Sequence, residues 1–260
     1  MHGCNRLSSP GMKRPPRSAG CENRDMNGEW SDDDLQHEVS EGQWVAENLN
    51  VVPKTTVGSL VPAGFESYAR ILRPVRRIGP HGECLLLRWS DIARHTGANA
   101  HAEMELHSIE PEHMRASYPP NPPTPAAPVT DWSDQLAIIA RMLAGHTSTP
   151  DDCWFAIWEG NTVLDDIRDS TPTAEINGYN YFLLRGPGSR VTDTYVGIAP
   201  NICWPADHSW CLVRHFDFPC VYFGGSQQSV TDLLRLPDIE AWPAHVDQVI
   251  TADNDQLNSS

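Results

Sequence analysis

The sequence predicts an α+β fold with a mainly antiparallel or mixed central sheet and helices packed on one side. Three observations lead there. The segments Cys84–Trp89 and Cys153–Trp158 are apolar at both alternating positions, the pattern of strands covered on two faces. Strand patterns then follow one another directly toward the C-terminus, with no helix between most of them, which disfavours a parallel sheet. Helix-period segments are few and sit before and after that run.

Each element follows from a local signal. The two apolar segments belong near the middle of a sheet. Ser90 caps a short helix over Asp91–Thr96, which Gly97 closes in the left-handed conformation. A longer helix spans 132–145: Thr130 or Asp131 caps it, and Leu136, Ile139, Ala140 and Leu143 recur at the spacing of one buried face. Asn177-Gly178, between 173–176 and 179–185, marks a tight hairpin. Ser209–Phe218 and Cys220–Phe223 read as strands. Ser226 caps a last helix with Val230, Leu233 and Leu234 inward, ended near Pro237.

Composition divides the chain. Residues 1–24 carry five basic residues and one acid, whereas 25–50 carry eight acids and no Lys or Arg. Opposite charge blocks of this kind predict a disordered head over 1–55, and Met12 and Met26 are alternative starts within it. Residues 56–245 form the expected single globular domain, with a Pro-rich excursion at 111–128 that seven prolines deny to helix and ladder alike. Residues 246–260 read as a frayed polar tail.

The 260 residues hold 19 Lys+Arg against 34 Asp+Glu, a formal net charge of −15. Such a balance repels a phosphate backbone, so no nucleic-acid partner is expected, and a basic protein is the natural complement. No run approaches the ~18 apolar residues needed to span a bilayer, so no membrane partner is expected either. The N-terminal basic residues precede a polar, Pro- and Gly-rich stretch instead of an apolar one, which is not a secretory signal. The cysteine count is odd, at seven, and five of them lie in or beside apolar segments, which points to reduced thiols and a cytoplasmic location.

Candidate site residues cluster in the C-terminal half. In the turn from Trp204 to Trp210, the pair Asp207-His208 stands between aromatic walls, a reasonable place for a small-molecule contact. Along the 207–218 strand, Trp210, Leu212, Phe216 and Phe218 share a core face with Arg214, while His215 and Asp217 share the other. Cys211 and His215 cannot act as a nucleophile and its base, because four residues of strand separate them by ~13 Å. Gly224-Gly225-Ser226, between a strand and a helix N-terminus, and Arg185 at a strand exit are candidate anion contacts. His95, His101, His107 and His113 recur every six residues, a spacing that gathers them on neither a helix nor a strand, so no metal and no cofactor are assigned.

The segments Val61–Phe65 with Tyr68-Ala69-Arg70, Arg88–Ala93, Cys153–Gly160, Leu183–Pro187 and Tyr222–Ser226 give the chain a resemblance to a family of uncharacterised bacterial proteins over about residues 60–243. In the similar stretch of that family an arginine commonly follows the aspartate, where this chain has His208. The resemblance implies no activity, and no catalytic residue is carried over. Two functions follow as expectations. The first is a non-catalytic interaction module, resembling small acidic immunity or inhibitor proteins, whose acidic surface and Trp-lined concavity meet a basic partner. The second is a ligand-binding protein or enzyme using Asp207, His208, His215 and Asp217 beside the Gly224-Gly225 turn.

Overall fold

A computed structural model describes residues 28–50, 55–79, 81–110 and 123–258. The strands are β1 (Glu29–Trp30), β2 (Ser67–Leu72), β3 (Val75–Ile78), β4 (Cys84–Leu87), β5 (Cys153–Trp158), β6 (Ala174–Ile176), β7 (Tyr179–Gly186), β8 (Thr194–Tyr195), β9 (Ile202–Pro205), β10 (Cys211–Val213), β11 (Cys220–Gly225) and β12 (Glu240–Ala244). The helices are α1 (Glu41–Glu47), α2 (Trp89–Thr96), α3 (Leu106–Ile109), α4 (Trp132–Leu143), α5 (Asp165–Arg168) and α6 (Gln227–Leu234). Eight strands form one sheet in the order β12-β2-β11-β10-β9-β5-β7-β6, and every pairing in it is antiparallel. The α+β class with a mainly antiparallel central sheet is therefore the observed architecture.

Both faces of this sheet are apolar. Tyr68, Leu72, Trp154, Ala156, Tyr181, Leu183, Trp204, Val213 and Tyr222 point to one face. Ile71, Phe155, Ile157, Phe182, Leu184, Leu212, Val221 and Phe223 point to the other. Each buried aliphatic or aromatic side chain contributes about 1.5–3 kcal/mol, so neither face can stay wet. Helices accordingly pack on two sides, which corrects the one-sided expectation. Val45 of α1, Ile92 and Ala93 of α2 and Ile109 of α3 cover the first face. Leu136, Ile139 and Leu143 of α4, with Val230 and Leu233 of α6, cover the second.

Several local signals are realised as read. Asp131 caps α4 by accepting from the Ser133 N–H, and Ser226 caps α6 by accepting from the Ser229 N–H. Gly97 ends α2 at φ 78°, and Asn177 (φ 53°) with Gly178 (φ 79°) turns the β6–β7 hairpin. The α2 start differs: Trp89 is already helical, and its orphan N–H and that of Ser90 donate to the Glu240 carboxylate of β12 at 2.6 and 2.8 Å.

Other expectations are corrected. Cys84–Leu87 is not in the main sheet; it pairs with β3 in a separate two-stranded ribbon, because Val75 and Leu87 alone of its apolar positions reach the core. Ser209–Phe218 is not one strand, since only Cys211–Val213 is paired and the chain turns away after Arg214. Phe216 thus leaves the core and is 38% exposed, while Trp154 and Phe182 are buried. Residues 28–50, part of the segment expected to be loose, are packed: Trp30 and Leu35 join the second face and Val45 the first. The expected tail is packed as well. Ile250 is buried, Val249 bridges Thr56, and the fully buried Asp255 accepts from the Glu105 and Asn258 N–H groups and lies 2.9 Å from His101 Nε2. Residues 1–27 and 111–122, which hold the basic head and most of the Pro-rich excursion, lie outside the described residues.

Trp30 carries a measurable share of this packing. Its ring stands 4.9 Å from that of Phe155 and under the Arg190 guanidinium at 3.5 Å. Trp30→Ala is expected to lower the unfolding free energy by about 3–5 kcal/mol in a urea titration. A loss below ~1 kcal/mol would place the acidic N-terminal stretch outside the folded body.

Candidate functional site

The sequence-derived candidates separate onto the two ends of the sheet. β9 ends at Pro205 and β10 begins at Cys211, so the Asp207-His208 turn crosses one end; β10 closes at Val213, so His215 and Asp217 stand at the other, ~10 Å of strand away. Gly224 pairs with Cys211, and Arg185 pairs with Trp154, which pairs with Trp204, placing all of these at the His208 end. The site that would have joined Asp207, His208, His215 and Asp217 beside the glycine turn does not form.

At the His208 end the candidate groups are engaged with one another. Trp204 has no exposed surface and cannot wall a ligand. Asp207 accepts from Thr147 Oγ1 at 2.8 Å, the Ser148 N–H at 2.6 Å, Ser148 Oγ at 2.7 Å and the Ser209 N–H at 3.1 Å. Burial pushes its pKa up, but these hydrogen bonds outweigh burial and hold the carboxyl well below the usual range. His208 takes a positive φ of 55° and stacks on Trp44, with centroids 4.1 Å apart and Nε2 3.5 Å from Glu41. Arg185 grips Asp152 through two hydrogen bonds of 2.6 and 2.7 Å and lies over the Trp154 ring.

The glycine turn is equally full. A Cβ on Gly224 would meet Phe65 at 2.5 Å, and one on Gly225 would meet Ser229 Oγ at 2.5 Å. The α6 N-terminus has its own anion, since the Gln227 N–H donates to Glu66 Oε2 at 2.8 Å and Ser226 is occupied as the cap. Gly224, Gly225 and Ser226 therefore close a packed turn, not an open anion cradle. The Cys153, Cys203 and Cys211 thiols are buried and pushed above their ordinary pKa by desolvation, Cys153 to about 12, so they stay protonated and lack nucleophilic thiolate at neutral pH.

The opposite end is open. Asn201 organises it: its side-chain oxygen accepts from the Trp158 N–H at 3.0 Å and its amide donates to the Arg214 carbonyl at 3.2 Å. This holds the end of β5 against the 214–219 loop. Phe216 stacks on Trp158 with centroids 4.3 Å apart, Tyr179 meets Phe216 edge-on at 5.3 Å, and His215 lies 4.1 Å from Phe216. Tyr179 and Phe216 stay partly exposed, and the Asp217 side chain beside them is 67% exposed.

Behind this platform, Asp217 and Phe218 lead into a cavity of about 440 Å³, walled also by Arg77, Glu105, His107 and Glu110. That volume lies within the range of small-molecule sites. Its deep carboxylates are matched by cations. Glu110 takes both Arg77 Nε (2.9 Å) and Nη2 (2.5 Å). Glu105 takes the buried Arg70 at 2.8 Å, and its pKa is raised because burial exceeds the attraction of Arg70 and His107. Asp217 is the carboxylate that this wall presents to solvent. No sequence signal marked Trp158, Tyr179, Arg77 or Glu110 as site residues, because the cavity joins residues far apart in the chain. Among the described residues, no group of three or more His, Cys, Asp or Glu is arranged to hold a metal ion, and His113 lies outside them.

Compared with known proteins, the chain matches no family model, no curated protein and no solved structure.

Two outcomes test this geometry. Desolvation lowers the His215 pKa below its ordinary 6.5, with Asp217 opposing, so the folded state holds the neutral ring. Above 6.5 the ring is neutral whether the chain is folded or not; below it the unfolded chain binds the proton more readily and stability falls. Melting temperatures should therefore drop less in His215→Gln than in wild type between about pH 7.5 and 5.5, and parallel curves would show a solvated imidazole. Asp207→Asn is expected to cost about 1–2 kcal/mol in urea unfolding at neutral pH. Since the folded carboxyl titrates low, that difference shrinks as pH falls below the ordinary 3.8.

Proposed function

We propose that this protein is a non-catalytic, acidic interaction module that docks a basic segment of another protein on the Trp158–Tyr179–Phe216 platform and the cavity mouth at Asp217. One observation carries the reading: aromatic rings left partly open to water stand directly beside an exposed carboxylate. Large aromatics on a surface are otherwise costly, and they are enriched where proteins meet. An arginine or lysine side chain suits both halves, with its cation over a ring face or against Asp217 and its methylene stem on Phe216 and Phe218.

The net charge of −15 supports the same partner, since it steers cations toward the surface and repels anions. Docking of this kind would resemble that of small acidic inhibitor or immunity proteins and needs no chemistry from the protein. A cytoplasmic setting belongs to this reading. No helix among the described residues is long and apolar enough to cross a membrane.

Tryptophan-fluorescence titration with an oligo-arginine peptide tests the proposal. Binding should weaken at high salt, and Phe216→Ala and Asp217→Asn should each weaken it about 3–10-fold while leaving the fold intact. Asp134→Asn changes the charge equally on α4 and should bind as wild type does. If all three variants bind alike, the peptide recognises only net charge and the platform has no role.

A further inference from the structure

The cavity behind the aromatic platform has two kinds of wall. Leu106, Phe218, Pro219 and Ile250 supply apolar surface, while Glu105, Asp217 and Thr251 carry acceptor oxygens. Its polar groups are unevenly paired. Arg77 and Glu110 satisfy each other through two hydrogen bonds, and Arg77 Nη1 donates to the Arg76 carbonyl. Glu105 differs. Arg70 takes only its Oε1, and among the described residues no donor meets Oε2, which is not sealed from solvent. An ionised oxygen in so confined a space has few water contacts, and a charged donor entering the cavity replaces them with a stronger bond.

The local charge favours a cation. Four carboxylates stand in or beside the wall, Glu105, Glu110, Asp217 and Asp255, the last accepting from the Glu105 N–H at 3.0 Å. Two guanidinium groups, Arg70 and Arg77, answer them. The imidazoles nearby, His107 in the wall, His101 on Asp255 and His215 beside Asp217, add charge only when protonated, and burial favours the neutral His215 ring. Burial raises the Glu105 pKa despite the attraction of Arg70 and His107, so its negative charge is undercompensated. At about 440 Å³ the cavity exceeds the volume of one long side chain.

Building on the docking reading, we infer that this cavity is the anchor pocket of that interface and receives one arginine side chain of the docked segment. The guanidinium donates to Glu105 Oε2, and the methylene stem lies against Leu106 and Phe218. Asp217, exposed at the mouth, attracts the cation on its way in. Lysine suits the pocket less, because its strongly hydrated ammonium loses more water on entry and has no planar fork to offer a carboxylate.

The probe is n-propylguanidinium, the arginine side chain cut at Cβ, compared with n-propylurea, its neutral isostere. Saturation-transfer NMR with the full chain should show transfer to the methylene protons of the guanidinium compound and none to the urea, and an excess of n-propylguanidinium should displace the oligo-arginine peptide. Ala252→Trp, at an exposed position of the wall, fills the cavity and should abolish the transfer and weaken the peptide about 10-fold. Glu105→Gln keeps an oxygen for Arg70 but removes the charge, and should weaken n-propylguanidinium about 10-fold. Phe216 lies outside the wall, so Phe216→Ala should bind n-propylguanidinium as wild type does while losing affinity for the peptide. The two readings fail separately. Peptide binding indifferent to Phe216 and Asp217 removes the docking platform. No transfer to n-propylguanidinium in wild type, or unchanged peptide affinity in folded Ala252→Trp, overturns the anchor pocket even where the platform stands.

Discussion

The architecture follows from one constraint: the middle strands of the sheet carry bulky apolar side chains on both faces. Trp154 and Phe155 are neighbours in the chain and point to opposite layers, as do Tyr222 and Phe223. A sheet of that kind has to be covered twice, and the regular helices of one 260-residue chain do not suffice. The remaining cover comes from segments that are polar on average. The acidic stretch around Trp30 and Val45, the ribbon of β3 and β4, and the C-terminal residues around Ile250 are all recruited. Ordering them costs backbone entropy, which a few deeply buried side chains in each segment offset.

Covering both faces sets the terms for polar groups. Arg70 points into the first layer from β2 and is 2% exposed, and each of its guanidinium nitrogens has a partner among the Ala102 and Met104 carbonyls, Glu105 and Cys220 Sγ. That set of bonds anchors the 102–105 stretch to the sheet and brings Glu105 to the cavity wall. The Glu240 carboxylate does comparable service for the start of α2. Against this thorough pairing, the open rings around Phe216 are the place where the fold leaves chemistry available.

Little of the candidate site was legible beforehand. Asp207 and His208 stand out in the sequence because acid, base and aromatic residues crowd there, and Arg185 because it leaves a strand at a glycine turn, but these features are internal contacts: the Asp207 oxygens serve a turn, Arg185 is held by Asp152 and Trp204 serves the core. His215 and Asp217 were placed on a strand face, and their neighbourhood changed once the strand stopped at Val213. Alternation of residue type persists through 214–218, yet alternation alone does not report where pairing ends.

What the sequence determined by itself is what depends on near neighbours. Caps at Asp131 and Ser226, the left-handed Gly97, the Asn177-Gly178 hairpin, the two-faced strand at Cys153–Trp158 and the α+β class all arise from residues within a few positions of one another. Tertiary structure decided the rest: the strand order, the exile of β4 to a separate ribbon, the packing of residues 28–50 and of the C-terminal residues around Ile250, and the meeting of Arg77, Glu105, Glu110 and Asp217 around one cavity. Those outcomes balance long-range burial and ion pairing against chain entropy, and the side chains that settle the balance become neighbours only once the sheet has formed.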